Sequence, residues 1–361
     1  MSRSFFEAPI GSNWQHAASR CAQWVCTFTA AAAFLAGVCG PAFAQTPRKI
    51  TVTQSTADSV AFIPIYIARY NRYFENEGLQ VNLVVTSGGG PDVAALVSGE
   101  AQFTAAGPIN QLALFQQGQR TLSVVSFFNR LIGNVVVRKD IYEAKKLSSQ
   151  PIEERIKALK GLKISVTRLG SLTDMVARSY LRRAGLEPQK DAMIIATTAG
   201  APQLAALMQK QVDAAAVTTP NAEEMVSRGA GAMLVYNTGG EDPFFVPFAQ
   251  QTVLVKPDWA QQNPELVKAF VRGILKAEAW THDHSSEEAA KIMQSFLPTL
   301  DVSVLTSQIT QIRDGIPKSG CISQAGIEGN FKLFEATGLM KRPMKWTDVA
   351  TNEYLPHACP P

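Results

Sequence analysis

The chain has 361 residues, a formal net charge of +4, 46% hydrophobic and 18% charged residues. That composition excludes an intrinsically disordered, collagen-like or polytopic membrane protein, and the length gives room for two domains with separate cores. No dense Lys/Arg cluster accompanies the charge, which excludes the electrostatic footprint of a nucleic-acid binder.

The chain opens with Arg3 and Arg20, an apolar run over 25–38, then Pro41 and Ala42-Phe43-Ala44. These are the parts of a secretory signal, with cleavage expected after Ala44. The run is too short for a membrane span, which needs about 20 apolar residues. Cleavage removes Cys21, Cys26 and Cys39 and leaves Cys321 and Cys359, an even pair in an oxidising compartment. A disulfide between them would constrain the unfolded chain by about 3–4 kcal/mol and pin the tail around Pro356-His357. Two unpaired buried thiols are the alternative, and two cysteines alone do not make a metal site.

In chain order, 49–53 reads as a strand, 62–76 as a helix stopped by Gly78, and 79–85 as a strand followed by Ser87-Gly88-Gly89-Gly90-Pro91. Pro91 suits the first helical position, with Val93, Leu96 and Val97 as the apolar stripe, and 101–106 is another strand. The strand after Arg120 ends near Phe127-Phe128-Asn129-Arg130. Strands alternating with helices imply parallel sheets with crossover connections.

The order then repeats. Lys163-Ile164-Ser165-Val166-Thr167 echoes Lys49-Ile50-Thr51-Val52-Thr53, and Gly185-Leu186 echoes Gly78-Leu79. TTAGAPQLAALMQKQVDAAAV, from Thr197, aligns without gaps on TSGGGPDVAALVSGEAQFTAA, from Thr86, with seven identities including Pro91/Pro202. Three landmarks in one order predict two related α/β lobes. After a strand at 252–255 the rest is helical, over 265–280, 286–296, 303–313 and 327–337, and must pack on the lobes. The polar stretch 143–160 is expected to lead into the second lobe and 247–255 to lead back. Lobe I is then 45–140 with 250–361, lobe II is 141–249, and the two passages form a hinge.

Ligands of open parallel sheets bind at the carboxyl ends of the strands. In the first lobe those loops hold Ser55, Thr56, Asp58, Ser87, Gly88, Gly89, Gly107, Asn129 and Arg130. In the second they hold Arg168, Gly170, Ser171, Thr198, Thr218 and Thr219. Hydroxyls, glycine-bared amides and few carboxylates suit an anion. Helix termini contribute at most about 2 kcal/mol each, against about 8 for micromolar binding, so Arg130 or Arg168 and apolar ligand surface are required. That favours an organic anion. Each residue also has a purely structural reading. Ser171 with Asp174 forms a capping box, Asp58 caps a helix, the glycines make a tight turn, the arginines lie on the surface, and Phe127-Phe128 belong to the core.

No catalytic motif occurs in these loops, and His282-Asp283-His284 lacks a nearby third metal ligand. The chain therefore reads as a binder with no cofactor and no metal. An enzyme on the same fold and a sensory module for a membrane receptor are the rival readings.

Pro64-Ile65-Tyr66-Ile67-Ala68 with Tyr73-Phe74-Glu75-Asn76-Glu77-Gly78-Leu79 resembles the opening of the NMT1-like periplasmic substrate-binding proteins for nitrate, sulfonates, taurine and thiamine-precursor pyrimidines. Leu159-Lys160-Gly161-Leu162-Lys163-Ile164 with Gly170-Ser171, and Val212-Asp213-Ala214-Ala215 with Pro220, are similar to the same family's second-lobe runs. The resemblance spans 49–355. It implies a two-lobe type II periplasmic-binding-protein fold, a periplasmic monomer, and delivery of ligand to an ABC permease and its ATPase. The chain departs from the family in Asn71, near a usual glycine, in Ser55-Thr56-Ala57-Asp58 where pyrimidine binders carry Trp-Pro-Asn, and in lacking the cysteine cluster of pyrimidine synthases.

Overall fold

The computed structural model describes residues 47–57, 59–86 and 90–360. The expected signal segment and the candidate residues Asp58, Ser87, Gly88 and Gly89 lie outside the described residues.

Two five-stranded mixed sheets carry the fold. The first holds β1 (Arg48–Gln54), β2 (Leu79–Val85), β3 (Phe103–Ala106), β4 (Leu122–Phe128) and β10 (Gln251–Val255), in the order β2-β1-β3-β10-β4. The second holds β5 (Gly133–Arg138), β6 (Lys163–Val166), β7 (Met193–Ala196), β8 (Ala214–Thr218) and β9 (Gly231–Val235), in the order β7-β6-β8-β5-β9. Each sheet has a parallel trio, then one antiparallel strand, then an edge strand: β10 fills in the first the place β5 fills in the second.

The sequence repeat is thus a structural repeat. Thr86 N donates to Gln54 O at 2.8 Å, and Thr197 N to Val166 O at 2.8 Å. The glycine-proline turns open the helices Pro91–Ser98 and Ala201–Met208. Gly78 and Gly185 both have φ near +75°, at +75° and +73°, and both follow a helix end. The echo is interrupted there, because β2 starts at Leu79 whereas β7 starts only at Met193, and resumes at Thr86 and Thr197.

Two expectations change. The helix expected over 62–76 is broken into Ile63–Tyr70 and Tyr73–Asn76, because Arg72, with φ +57°, takes the left-handed conformation between them. The chain also enters the second sheet earlier than expected. Gly133–Arg138 pairs with β8 and β9, so the crossing is 129–132 and not the polar stretch 143–160, which contributes short surface helices within the second lobe. The return runs over 236–250.

In the first lobe's core, the Phe270 ring stacks on Phe103 at 4.3 Å and on Phe74 at 4.8 Å. Gly273, one turn further along the helix Pro264–Asp283, makes room for Phe74, since a Cβ there would lie 2.6 Å from its ring. Fully burying each such ring contributes about 1.5–3 kcal/mol. The second core joins Ile164, Val166, Tyr180 and Leu181 to Ile327, Leu333 and Phe334 of the helix Gln324–Glu335. That late helix therefore packs on both the first-lobe helix Pro108–Gln116 and the second-lobe helix Leu172–Arg183, while the helices Pro264–Asp283, Ser286–Phe296 and Val302–Ile312 pack in the first lobe.

Candidate functional site

β5 is antiparallel to both β8 and β9, so the carboxyl ends of β6, β7, β8 and β9 share one edge of the second sheet. By the same reasoning the carboxyl ends of β1, β2, β3 and β4 share an edge of the first. Residues 129–132 run directly from one edge to the other. A chain spans at most about 3.6 Å per residue, so Phe128 and Gly133 stand within about 18 Å. The two loop-bearing edges therefore lie close together at the crossing, where ligands of open sheets bind.

On the first edge, Ser55 and Thr56 are half-buried. Their loop is held by a residue the sequence reading missed, the fully buried Gln54, whose Nε2 donates to Thr56 O (2.7 Å) and Tyr66 Oη (2.9 Å). The Tyr66 hydroxyl in turn donates to Ala57 O at 2.9 Å. Gly107 has a packing role, because a Cβ there would stand 3.0 Å from Gln250 O. Phe127 and Phe128 are fully buried core residues. Asn129 N donates to Gly315 O at 2.6 Å, and its Oδ1 accepts from Ser126 Oγ. Arg130 is half-buried between Gly240 and Gly315, and among the described residues no carboxylate pairs with it.

On the second edge, Arg168 and Thr198 are exposed, and Arg168 likewise lacks an ion pair among the described residues. Ser171 caps the helix Leu172–Arg183, accepting from Asp174 N, and shares hydroxyl hydrogen bonds with Thr167 (3.1 Å) and Thr173 (2.9 Å). The reciprocal half of the expected capping box goes elsewhere: Asp174 accepts from Gly170 N at 2.8 Å and from Arg178 Nε at 2.8 Å. Thr218 pairs with Gly133 at the end of β8. The Thr219 hydroxyl donates to Glu223 Oε1 (2.8 Å), accepts from Asn134 Nδ2 (3.1 Å), and lies 2.7 Å from Thr238 Oγ1. Burial and the facing Glu223 carboxylate push the Tyr236 hydroxyl up to about 12, so it stays a protonated donor.

Asn134, Glu223, Tyr236 and Thr238 were also missed. The signal for Glu223 was its place in the first turn of a proline-started helix, Asn221–Ser227 after Pro220. The other three reach the edge only because β5 and β9 lie beside β8, a pairing that periodicity does not reveal.

Residues 45–295 match the model of the NMT1-like family. The chain belongs to that family. This NMT1-like chain is 26% identical over 328 residues to the riboflavin-binding protein RibY of Chloroflexus aurantiacus, covering 86% of this chain and 87% of that one. It is 26% identical over 212 residues to the nitrate/nitrite binding protein NrtA of a Nostoc species, covering 57% and 45%. Among solved structures, the periplasmic aliphatic sulphonate binding protein SsuA of Escherichia coli superposes with a TM-score of 0.65 at 18% identity, covering 85% and 99%. The desulfurization enzyme DSZB superposes at 0.58 and 17%, covering 84% and 97%. The architecture is the two-lobe periplasmic-binding-protein fold.

His282 and His284 of the NMT1-like chain have structural partners. His282 Nε2 bonds Ile316 O at 3.0 Å, and His284 stacks on Trp280 at 4.0 Å while its Nδ1 bonds Trp280 O. The family's usual glycine before the aromatic is met here by Arg72 in the left-handed conformation, while Asn71 keeps an ordinary φ of −82°. Among the described residues no helix is long and apolar enough to cross a membrane.

Proposed function

We propose that this protein is an exported, monomeric solute-binding protein, cleaved after Ala44, that captures a small organic anion in the inter-lobe cleft and delivers it to an ABC permease and its ATPase. A sulfonate or a carboxylate is the favoured ligand. The observation that carries the reading is Arg130, a half-buried guanidinium on the crossing itself, without a carboxylate partner among the described residues. A charge-assisted bond there contributes roughly 1.5–3 kcal/mol, and the hydroxyls of Ser55, Thr198 and Thr218 supply further donors, whereas the Thr219 proton is held by Glu223. Ligand touching both edges favours closure over 129–132 and 236–250, a shift between open and closed populations.

A thermal-shift screen of residues 45–361 against sulfonates, carboxylates, nitrate, pyrimidines and riboflavin tests the reading. Ligand at about 100 times its dissociation constant adds roughly 2.7 kcal/mol, a shift of several degrees. Response to riboflavin alone would overturn the anionic assignment and leave the binding role intact. The likeness of fold to a desulfurization enzyme favours one second reading, turnover of a sulfur compound. Mass spectrometry of each stabilising compound after incubation separates the two, because a binding protein returns its ligand unchanged.

A further inference from the structure

Cys321 and Cys359 form a disulfide, and a third side chain of ligand type stands against it. His357 Nε2 lies 3.7 Å from Cys321 Sγ, and the two sulfurs and a ring nitrogen all fall within 4.8 Å of one another. Cys359 and His357 sit on an irregular segment, and His357 is exposed, so neither is locked by a helix or a strand. Two thiolates and an imidazole are the N/S donor set of a zinc site. Zinc bonds of about 2.3 Å to sulfur and about 2.0–2.1 Å to nitrogen place tetrahedral ligand atoms about 3.6–3.8 Å apart. The Cys321–His357 separation already has that value.

We propose that the reduced form of this protein binds one Zn2+ through Cys321, His357 and Cys359, with water at the fourth position. A dithiol reductant passes two electrons and two protons to the disulfide, is itself oxidised to a disulfide, and leaves two thiols. Zinc then displaces both thiol protons, so two protons are released for each ion bound. His357 Nε2 bonds Ser319 O at 3.0 Å in the disulfide form. To ligate, that nitrogen gives up this contact and the ring carries its proton on Nδ1. The disulfide and the metal are thus two fastenings of one place. Either ties the tail to the 316–323 segment, which is held to β4 through Ser126 N and Gly320 O at 2.8 Å and leads into the helix Gln324–Glu335.

The test uses purified protein reduced with a phosphine, which is oxidised to its oxide and adds no competing thiol, then titrated anaerobically with Co2+ as a spectroscopic stand-in for Zn2+. One equivalent should give thiolate-to-cobalt charge transfer with intense tetrahedral d–d bands, and Zn2+ should abolish both. Unreduced protein should give neither. His357→Ala keeps both thiols and should weaken the cobalt affinity at least tenfold, whereas a C321S/C359S double variant should lose the site. Circular dichroism of each reduced sample confirms that the fold is present. Absence of charge transfer in folded, reduced wild-type protein would overturn the proposal, and so would equal affinity in His357→Ala.

Discussion

Arg130 lies across Gly240 so closely that a Cβ on that glycine would stand 2.5 Å from Nη1. Gly240 also has φ +72°, so the turn that cradles the guanidinium needs glycine for both reasons. Two residues earlier, Thr238 shares its hydroxyl with Thr219, which donates to Glu223. One short turn therefore connects the arginine of the crossing to the polar edge of the second sheet.

If Arg130 is the anion anchor, Arg130→Ala and Arg168→Ala should each weaken the ligand found by the screen at least tenfold, with urea midpoints unchanged. Gly240→Ala should weaken it too, because the methyl displaces the guanidinium, and should in addition lower stability by about 1–2 kcal/mol from the left-handed backbone. Calorimetric titration with unfolding curves checks both parts. Normal binding in all three variants would move the anion site elsewhere.

Much of this organisation was readable beforehand because the parallel strands are short apolar runs behind helix-stopping glycines, and the TxxGxPxxAAL segment repeats. The first crossing was not. Phe127-Phe128 and Val135-Val136-Val137 are apolar on both sides of 129–132, so no polar gap marks the change of sheet, whereas the polar 143–160 looked like a linker. Of the candidate residues, Arg130 lies on the crossing, Thr218 ends β8 opposite Gly133, and Thr219 is tied to Asn134, Glu223 and Thr238. Gly107 proves to be a close approach of backbone to Gln250. Glu223 was overlooked because a lone acid in a helix's first turn usually signals the helix dipole alone.

The return segment is fixed by a buried ionic network. Asp242, 1% exposed, accepts from the Tyr180 hydroxyl at 2.8 Å, pairs with Arg183, and accepts from Phe244 N at 3.1 Å. Burial first, and the Asp242 charge next, push the Tyr180 hydroxyl well up. Asp242→Ala removes the buried carboxylate, leaving Arg183 only the exposed Glu153 and Tyr180 only Asn237 Oδ1 among the described residues, and should cost about 3–5 kcal/mol in urea unfolding. Arg183→Met combined with Asp242→Asn should cost less than Asp242→Ala alone, because no unpaired charge is then buried. Equal losses would mean that packing, not charge, holds the segment.

The Cys321–Cys359 bridge closes a loop with a sequence separation of 38. Chain entropy predicts a loss of about 4 kcal/mol on removing it. C321S/C359S should therefore unfold at markedly lower urea than the oxidised protein, and matched experiments with and without reductant should show the same gap in wild-type protein only.

Glu278 gives the clearest pH signature. It sits in the helix Pro264–Asp283 at 0% exposure, and neither carboxylate oxygen has a hydrogen-bond partner among the described residues. Desolvation pushes its carboxyl well above the ordinary 4.5, and the Gly320 N–H facing it offsets only part of that. A raised acid binds its proton more tightly in the folded chain than in the unfolded one. Its contribution to stability is therefore complete below about pH 4.5 and declines as pH rises toward its folded value. Glu278→Gln keeps the shape and removes the titration. The variant and the wild type should match most nearly in acid, and the variant should become progressively more stable relative to the wild type as pH rises above 4.5. Other carboxylates, such as Glu77, held low by its hydrogen bonds to Lys276 and Arg272 against the opposing effect of burial, titrate alike in both proteins and cancel in the difference. Unfolding curves across this range decide the matter, and a difference independent of pH would show that Glu278 is ionised in the fold.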